Sequence, residues 1–175
     1  MPELTGTGLA HLAPLPPVHV IEERSAVNIE PIGVVKSPVK EPTDENWRQV
    51  IAEIHLHDSL APGLKGLDRF SHLVVVFFMH QYSFTPATDL VRRPQERDDM
   101  PEVGIFAQRA KHRPNPIGIT AVDLIEVRGP VLIVKGLDAI DGTPVLDIKP
   151  YVPAFDSRPA AVVPVWIERL MQKYF

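Results

Sequence analysis

Short segments in which apolar residues alternate with polar ones, or follow one another directly, recur along the chain between turn residues. In Glu53–His57, Ile54 and Leu56 alternate with polar neighbours, which is typical of a strand with one buried face. The valine and phenylalanine run within 72–82 instead predicts a strand buried on both faces. The pattern predicts about six to eight strands. The clearest are Ile29–Val35, Trp47–Asp58, His72–Tyr82, Ile117–Val127, Val131–Ile140 and Val145–Tyr151.

One segment has a clear helical period. Trp166, Leu170 and Tyr174 are spaced i, i+4, i+8, which predicts a helix over 165–174 with one apolar stripe for core or dimer packing. Residues 83–100 have no period and predict a long loop. Because strands and helices do not alternate, we expect a mainly β chain: a small, mostly antiparallel β-barrel over 29–175 with a C-terminal helix.

The first 28 residues are rich in Pro, Gly, Thr and Ala and predict an irregular N-terminal arm. The whole chain has 175 residues, which suits one domain with an arm. Its longest apolar run, Leu73–Met79, is far too short to span a bilayer, and no signal peptide pattern begins the sequence. A cytoplasmic location without membrane contact is therefore the expectation.

The residue types that are missing exclude several chemistries. Without cysteine there is no disulfide, thiolate nucleophile or cysteine-ligated zinc. A net charge of -4 argues against a general nucleic-acid coat protein. No Gly-x-Gly-x-x-Gly follows a predicted strand, so a doubly wound dinucleotide fold is excluded.

His55, His57 and Asp58 resemble part of a metal site, because residues two apart on a strand point the same way. A metal ion held by the protein alone needs further ligands, and none is evident nearby in the sequence. We therefore interpret this set as a solvated strand face and predict no metal site.

The stretch Gly104–Thr120 carries a dense set of cationic and polar side chains between two apolar runs. Pro114 and Pro116 restrict φ and bias the residue before each toward extended geometry, so this loop is predicted to be stiff. A stiff loop loses little entropy on binding, and the guanidinium groups of Arg109 and Arg113 suit a carboxylate, phosphate or carbonyl edge. A rigid surface turn whose arginines pair with nearby acids is the alternative.

Four polar clusters fall at predicted strand ends or turns, where barrels build their sites. They are Ser37–Lys40, His80–Gln81, Arg109–Thr120 and Leu137–Pro144. The sequence contains neither a nucleophile elbow nor a Walker loop. A pocket of arginine, acids and amides would bind a polar organic ligand and support chemistry that depends on positioning.

These motifs carry a family resemblance. Phe106–Gly118, Gly66–Leu73, His80–Gln81 and Asp141–Tyr151 closely resemble the TsaA-like family, also called the YaeB or TrmO family, and the likeness runs from about Ile29 to Tyr151. Members are small β-barrel methyltransferases that use S-adenosyl-L-methionine and act as homodimers with the cofactor near the subunit interface. They include enzymes that methylate N6 of threonylcarbamoyl-adenosine at tRNA position 37. Longer bacterial members have an additional C-terminal domain, whereas this sequence stops soon after the predicted barrel.

The resemblance implies a set of cofactor-pocket residues: His80, Gln81, Arg109, Ile119, Thr120, Leu137, Asp138 and Asp141. Arg109 would hold the methionine carboxylate, and Asp138 or Asp141 would meet the ammonium or a ribose hydroxyl. Asp141 or His80 is the candidate catalytic base that takes the proton from the acceptor nitrogen. The alternatives are a turn-forming Asp–Gly pair at Asp141 and a satisfied buried histidine at His80.

The expected substrate-binding residues are cationic or amide side chains near the same loops: Lys40, Arg92, Arg93, Lys111, Arg113 and Asn115. Such a group could contact tRNA phosphates. Two positions depart from the family's usual residues, since Gln108 and Ala110 stand where Thr and Ser are common.

Three functions are compatible with the sequence. The first is the tRNA adenine N6-methyltransferase, for which tRNA is a possible partner. The second is a methyltransferase for another acceptor. The third is a sensor that binds S-adenosyl-L-methionine without turnover.

Overall fold

A computed structural model describes residues 27–175, so the predicted arm lies outside the described residues except for its last two positions. Six strands close into one barrel in the order β1-β2-β7-β6-β3-β8, and every pair is antiparallel. Two further strands form a separate ribbon, β4-β5. The strands are β1 (Gly33–Lys36), β2 (Ile51–Leu56), β3 (His72–Phe78), β4 (Val91–Arg92), β5 (Val103–Gly104), β6 (Ile117–Arg128), β7 (Val131–Lys135) and β8 (Pro144–Pro150). The predicted mainly β barrel is confirmed.

Three short α-helices accompany the barrel: α1 (Pro86–Asp89), α2 (Pro153–Asp156) and α3 (Val165–Met171). Single 3₁₀ turns occur in the connections at Trp47–Gln49, Asp58–Leu64, Leu67–Arg69, Pro94–Glu96 and Ile105–Ala107. The predicted C-terminal helix is therefore present but ends at Met171. No helix within 27–175 is long and apolar enough to cross a membrane.

The core fills the inside of the barrel with alternate side chains from the strands. In β3, Leu73, Val75 and Phe77 are buried, as the strand period requires. On its outward face Val74 and Val76 are half-buried and Phe78 is 38% exposed. The prediction that this strand is buried on both faces is therefore wrong for the single chain.

Several predicted elements differ in extent or type from the sequence pattern. Strand β3 stops at Phe78 because the next residue, Met79, faces Pro116, whose carbonyl accepts the Met79 N–H but which has no N–H to donate in return, and a turn follows. Strand β7 stops at Lys135 because Gly136 adopts φ 89°, a left-handed conformation that favours glycine. Residues 83–100, predicted as a plain loop, include α1 and β4.

Gly33 lies where two strands approach closely. A Cβ at this position would stand 2.3 Å from the backbone carbonyl oxygen of His55 on β2, whereas a Cβ at Gly63 would meet nothing within 4 Å. Because backbone atoms cannot yield as a side chain can, we expect Gly33→Ala to lower the free energy of unfolding by about 1–3 kcal/mol. Urea denaturation would measure this, with Gly63→Ala as the matched control. Equal midpoints for the two variants would contradict the close approach.

Candidate functional site

The loops that carry the predicted site residues lie at one end of the barrel. At this end β1, β3 and β7 finish and β2, β6 and β8 begin, so the connections 37–50, 79–116 and 136–143 all emerge there. Every predicted cofactor- or substrate-binding residue belongs to these connections or to the first residues of β6. The expectation that the four polar clusters occupy one end of one barrel agrees with this topology.

Asp138 joins three separate parts of the chain. The Thr120 hydroxyl of β6 donates to one of its carboxylate oxygens, and the Tyr174 hydroxyl donates to the other at 2.7 Å. Next to Thr120, the Arg109 guanidinium donates to the Ile119 carbonyl. The pKa of Tyr174 is raised by burial and then by the Asp138 carboxylate, whereas Arg109 acts in the opposite direction. These four polar residues therefore form one cluster, with Arg109 close to Tyr174.

Sequence reasoning missed Tyr174 as a site residue because it placed this side chain on the apolar helical stripe. The helix ends at Met171, and the segment beyond it bonds to the β1–β2 connection: the Asn46 N–H donates to the Lys173 carbonyl at 2.8 Å, and the Trp47 N–H to the Tyr174 carbonyl at 2.9 Å. The buried Trp47 anchors that connection. A hydroxyl at the end of the stripe was the available signal, since a buried hydroxyl needs a partner.

Asp141 is held by a second set of contacts. Its carboxylate accepts the Ser37 N–H at 3.0 Å and pairs with the Lys40 ammonium at 2.9 Å, while its own N–H donates to the Val39 carbonyl at 2.8 Å. The Lys40 contact, followed by the Ser37 N–H, lowers the pKa of Asp141 below its usual 3.8. A carboxylate stabilised in its charged form is a weaker base, so these contacts favour anchoring of the loop over proton transfer.

His80 and Gln81 are exposed in the turn that follows β3, so His80 is not a buried, satisfied histidine. The adjacent Tyr82 connects this turn to the proline-rich loop. His112 packs edge-on against the Tyr82 ring at 5.2 Å between centroids, and the Lys111 ammonium lies 5.1 Å from the ring centroid. The turn and the loop therefore form one surface.

Two of the predicted cofactor residues differ sharply in exposure. Ile119 is 49% exposed on the outer face of β6, whereas the side chain of Leu137 is fully buried in the barrel core. Only the backbone of Leu137 can therefore face a ligand.

The predicted substrate-binding cations do not form one free basic patch. Arg92 pairs with Asp89 at 3.3 Å and with Glu96 at 2.7 Å, and Arg93 donates to the Met100 carbonyl. Three others also have roles within the loops: Lys40 pairs with Asp141, Lys111 lies over Tyr82, and Arg113 donates to the Gln108 carbonyl at 3.1 Å. Asn115 is exposed, and its carbonyl accepts the Ile117 N–H at 2.7 Å.

The contacts of Gln108 explain why this position departs from the usual family residue. Its side chain is buried, and its amide donates to the Arg92 carbonyl at 2.9 Å and to the Val103 carbonyl at 3.0 Å. The longer amide reaches both strands of the β4-β5 ribbon, which a threonine hydroxyl is too short to do.

Two grooves lie at this end of the described chain. The larger, about 580 Å³, is bordered by Ser37, Lys40 and Asp141 together with residues of β2 and β7. The smaller, about 290 Å³, is lined in part by Gly136, which precedes Asp138 by two residues. Neither is lined by Arg109, Thr120 or Asp138; of these three, Arg109 is exposed, Asp138 is half-buried and Thr120 is buried.

The histidines of β2 and its end have local partners. His55 Nε2 lies 2.6 Å from Glu53, and His57 Nε2 lies 3.2 Å from the Pro31 carbonyl. Among residues 27–175 no group of three or more His, Asp or Glu side chains is arranged to hold a metal ion.

The Tyr174–Asp138 contact generates a stability prediction. We expect Tyr174→Phe to lower the free energy of unfolding by about 1.5–3 kcal/mol at pH 7, because the lost hydrogen bond has a charged acceptor. Since the folded state raises the pKa of Tyr174 above 10.0, the deficit should persist below pH 10 and shrink above it as the wild-type tyrosine ionises on unfolding. Urea denaturation across this range would measure it.

Tyr151→Phe is the matched control, because the Tyr151 hydroxyl makes no hydrogen bond within the described residues. A deficit of the same size in this variant would contradict a specific role for the Tyr174 hydroxyl.

Comparison with known proteins identifies a matching family model and several named relatives. The family model of the tRNA-methyltransferase O N-terminal domain matches residues 34–157. A probable S-adenosyl-L-methionine-binding protein of Pyrococcus abyssi is 37% identical over 148 residues, which covers 82% of this chain and 77% of that one. The tRNA (adenine(37)-N6)-methyltransferase of Escherichia coli is 39% identical over 148 residues and is covered to 63% of its length, against 78% of this chain.

The barrel also matches solved structures. The crystal structure of TrmO from Pseudomonas aeruginosa superimposes with a TM-score of 0.68 at 30% identity, covering 82% of this chain and 63% of that one. The chain thus spans less than two thirds of the length of this structure and of the E. coli enzyme. Since the family model covers well over half of the sequence, the chain belongs to the tRNA-methyltransferase O N-terminal domain family.

Proposed function

We propose that this protein is an S-adenosyl-L-methionine-dependent methyltransferase whose acceptor is N6 of threonylcarbamoyl-adenosine at position 37 of tRNA. Membership of the tRNA-methyltransferase O family supports the reaction class, and the E. coli relative is named for adenine 37. The observation that carries the proposal is the cluster of Arg109, Thr120 and Asp138 at the loop-bearing end of the barrel. A tRNA acceptor would place the reaction in the cytoplasm.

The donor set of this cluster fits S-adenosyl-L-methionine. The cofactor carries a carboxylate, an ammonium group, ribose hydroxyls and an adenine, which need cationic, anionic and backbone partners. Arg109 supplies an exposed guanidinium for the carboxylate, and the oriented carboxylate of Asp138 suits the ammonium or a ribose hydroxyl. The exposed Ile119 and the backbone around Leu137 supply apolar and hydrogen-bonding surface for the base.

When bound, the cofactor supplies a methyl group on a sulfonium centre, whose carbon–sulfur bond breaks as the carbon–nitrogen bond to the acceptor forms. The protein has to align the two reactants and remove one proton from N6. Asp141 is occupied by Lys40 and Ser37, and its lowered pKa makes it the weaker base. His80, exposed in the turn after β3 at the same end of the barrel, is the better candidate for that proton transfer.

A homodimer is part of the proposal. Arg109 and Ile119, two of the proposed cofactor residues, are exposed, and the outer faces of β3 and β6 around Ile119 present half-buried and exposed apolar side chains. Val76 is paired with Ile119, and Phe78 with Ile117. Phe106, 79% exposed, is a further exposed apolar side chain in the 79–116 connection at the same end of the barrel. Apolar patches of this kind mark association surfaces, and a second subunit there would cover the cofactor.

A second function is favoured by one specific observation. Archaeal relatives that match closely, from Pyrococcus abyssi and Methanothermobacter thermautotrophicus, are named only as probable S-adenosyl-L-methionine-binding proteins. A methyltransferase for another acceptor, or a cofactor sensor without turnover, fits that description. The arginines of the β4-β5 ribbon region, which are engaged in internal contacts, offer little support for tRNA phosphate binding.

The three functions are separated by one assay. The protein is incubated with methyl-labelled cofactor and total tRNA, and the tRNA is digested to nucleosides for mass analysis. A methylated threonylcarbamoyl-adenosine supports the proposal, and labelled product from another fraction of a cell extract supports the second acceptor. Cofactor binding without any loss of methyl label would indicate a sensor.

We expect His80→Gln to slow methylation about 100-fold or more while cofactor affinity stays within a few-fold, because general-base catalysis contributes about that much. Asp138→Asn should instead weaken cofactor binding about tenfold or more, since a hydrogen bond to a charged group is lost. His57→Gln, at the opposite end of the barrel, is the control and should match the wild type. Unchanged turnover in the His80 variant would exclude its role as base.

The dimer has a separate test. Val76→Lys places a charge in the centre of the apolar face, and we expect sedimentation velocity to show a monomer where the wild type is a dimer. Ile125→Lys changes an equally apolar residue, 51% exposed near the far end of β6, and should leave the dimer intact. A monomeric wild type at tens of micromolar would contradict the proposed interface.

A further inference from the structure

The smaller groove is lined by charged and aromatic side chains that have no role in the proposed cofactor site. It holds about 290 Å³ and is lined by Arg48, Ala121, Asp123, Lys135, Gly136 and Phe175. This volume is close to the lower limit of small-ligand sites, about 300 Å³.

The groove adjoins the Asp138 cluster through two covalent connections. Gly136 precedes Asp138 by two residues, and Phe175 directly follows Tyr174, whose hydroxyl bonds to Asp138 at 2.7 Å. Two residues that line the groove thus belong to the same chain segments as Asp138 and Tyr174, and an acceptor for methyl transfer must lie close to the cofactor.

Phe175 gives the groove an aromatic wall. Its ring is held edge-on against Tyr174 at 4.9 Å between centroids, and the residue remains 47% exposed. A ring that is fixed on one side and accessible on another suits stacking against a nucleobase, which proteins that bind unpaired nucleotides use widely.

Arg48 and Lys135 give the groove two available cations. Neither has a carboxylate within 4.0 Å among the described residues, in contrast to Arg92, Arg97 and Arg128, which are all paired. The acid of the groove, Asp123, is itself paired with His72 at 3.1 Å. Asp123 also stands directly opposite Lys135 across the β6–β7 pair, but the two cations outnumber this one acidic side chain of the groove and leave positive charge to meet an anionic group.

We propose that this groove is the acceptor subsite, which takes an adenine nucleoside that bears an oxyanion. The base stacks on Phe175, and the oxyanion is bound by Arg48 and Lys135. That oxyanion is either the carboxylate of a threonylcarbamoyl group or a neighbouring phosphate of the RNA. This inference rests on the proposed function and assigns its acceptor to residues outside the resemblance.

The test uses two anticodon stem-loops, one with threonylcarbamoyl-adenosine at position 37 and one with plain adenosine, whose binding to the cofactor-loaded protein is followed by fluorescence anisotropy. We expect the double variant Arg48→Gln/Lys135→Gln to bind the modified stem-loop at least about tenfold more weakly. If the oxyanion is the carboxylate, the preference for the modified stem-loop disappears; if it is a phosphate, both stem-loops lose affinity equally. Phe175→Leu should weaken both about five- to 100-fold.

The control is Lys65→Gln/Arg69→Gln, which removes two exposed cations at the opposite end of the barrel and should bind like the wild type. Calorimetric affinity for the cofactor should be unchanged in the groove variants. If the groove variants bind both stem-loops within twofold of a wild type that methylates them, the subsite is wrong and the proposed function stands. A wild type that binds neither stem-loop contradicts both.

Discussion

Antiparallel closure of the six-stranded barrel is the constraint from which the site follows. In an antiparallel barrel, successive connections alternate between its two ends, so residues far apart in sequence are brought to the same rim. The connections 37–50, 79–116 and 136–143 share one end and together carry the polar clusters. The barrel brings these connections together, and the connections supply the polar side chains of the candidate site.

Both acidic residues of the β7–β8 connection fasten that connection to other segments. Asp138 accepts hydroxyl donors from Thr120 and Tyr174, and Asp141 accepts the Ser37 N–H and the Lys40 ammonium. Fixed carboxylates lose little entropy when a ligand binds, and this preorganisation is worth more than extra contact area. The bonds from Ser37 and Lys40 lower the pKa of Asp141 and make it a weaker base, which is why we propose His80 for proton transfer and Asp141 for anchoring.

The approximate positions of the strands, and which of their side chains are buried, could be predicted from the period of the apolar residues. Alternation of apolar and polar residues indicates a strand with one buried face. Strand ends could not, since β3 stops where it faces Pro116, a residue distant in sequence that has no N–H to continue the pairing. The family resemblance, confirmed by the matching family model, supplied the predicted cofactor residues, but sequence could not show that Leu137 is buried in the core. Tyr174 was missed because its partner, Asp138, lies 36 residues away.

The buried Gln108 amide has a mechanical consequence. Gln108 immediately precedes Arg109, and its amide donates to the carbonyls of Arg92 and Val103. It therefore links both strands of the β4-β5 ribbon to the backbone next to Arg109. The position of the ribbon is therefore coupled to the backbone of Arg109, the residue that we propose for the methionine carboxylate. A ligand bound on the ribbon would act on cofactor affinity through this link.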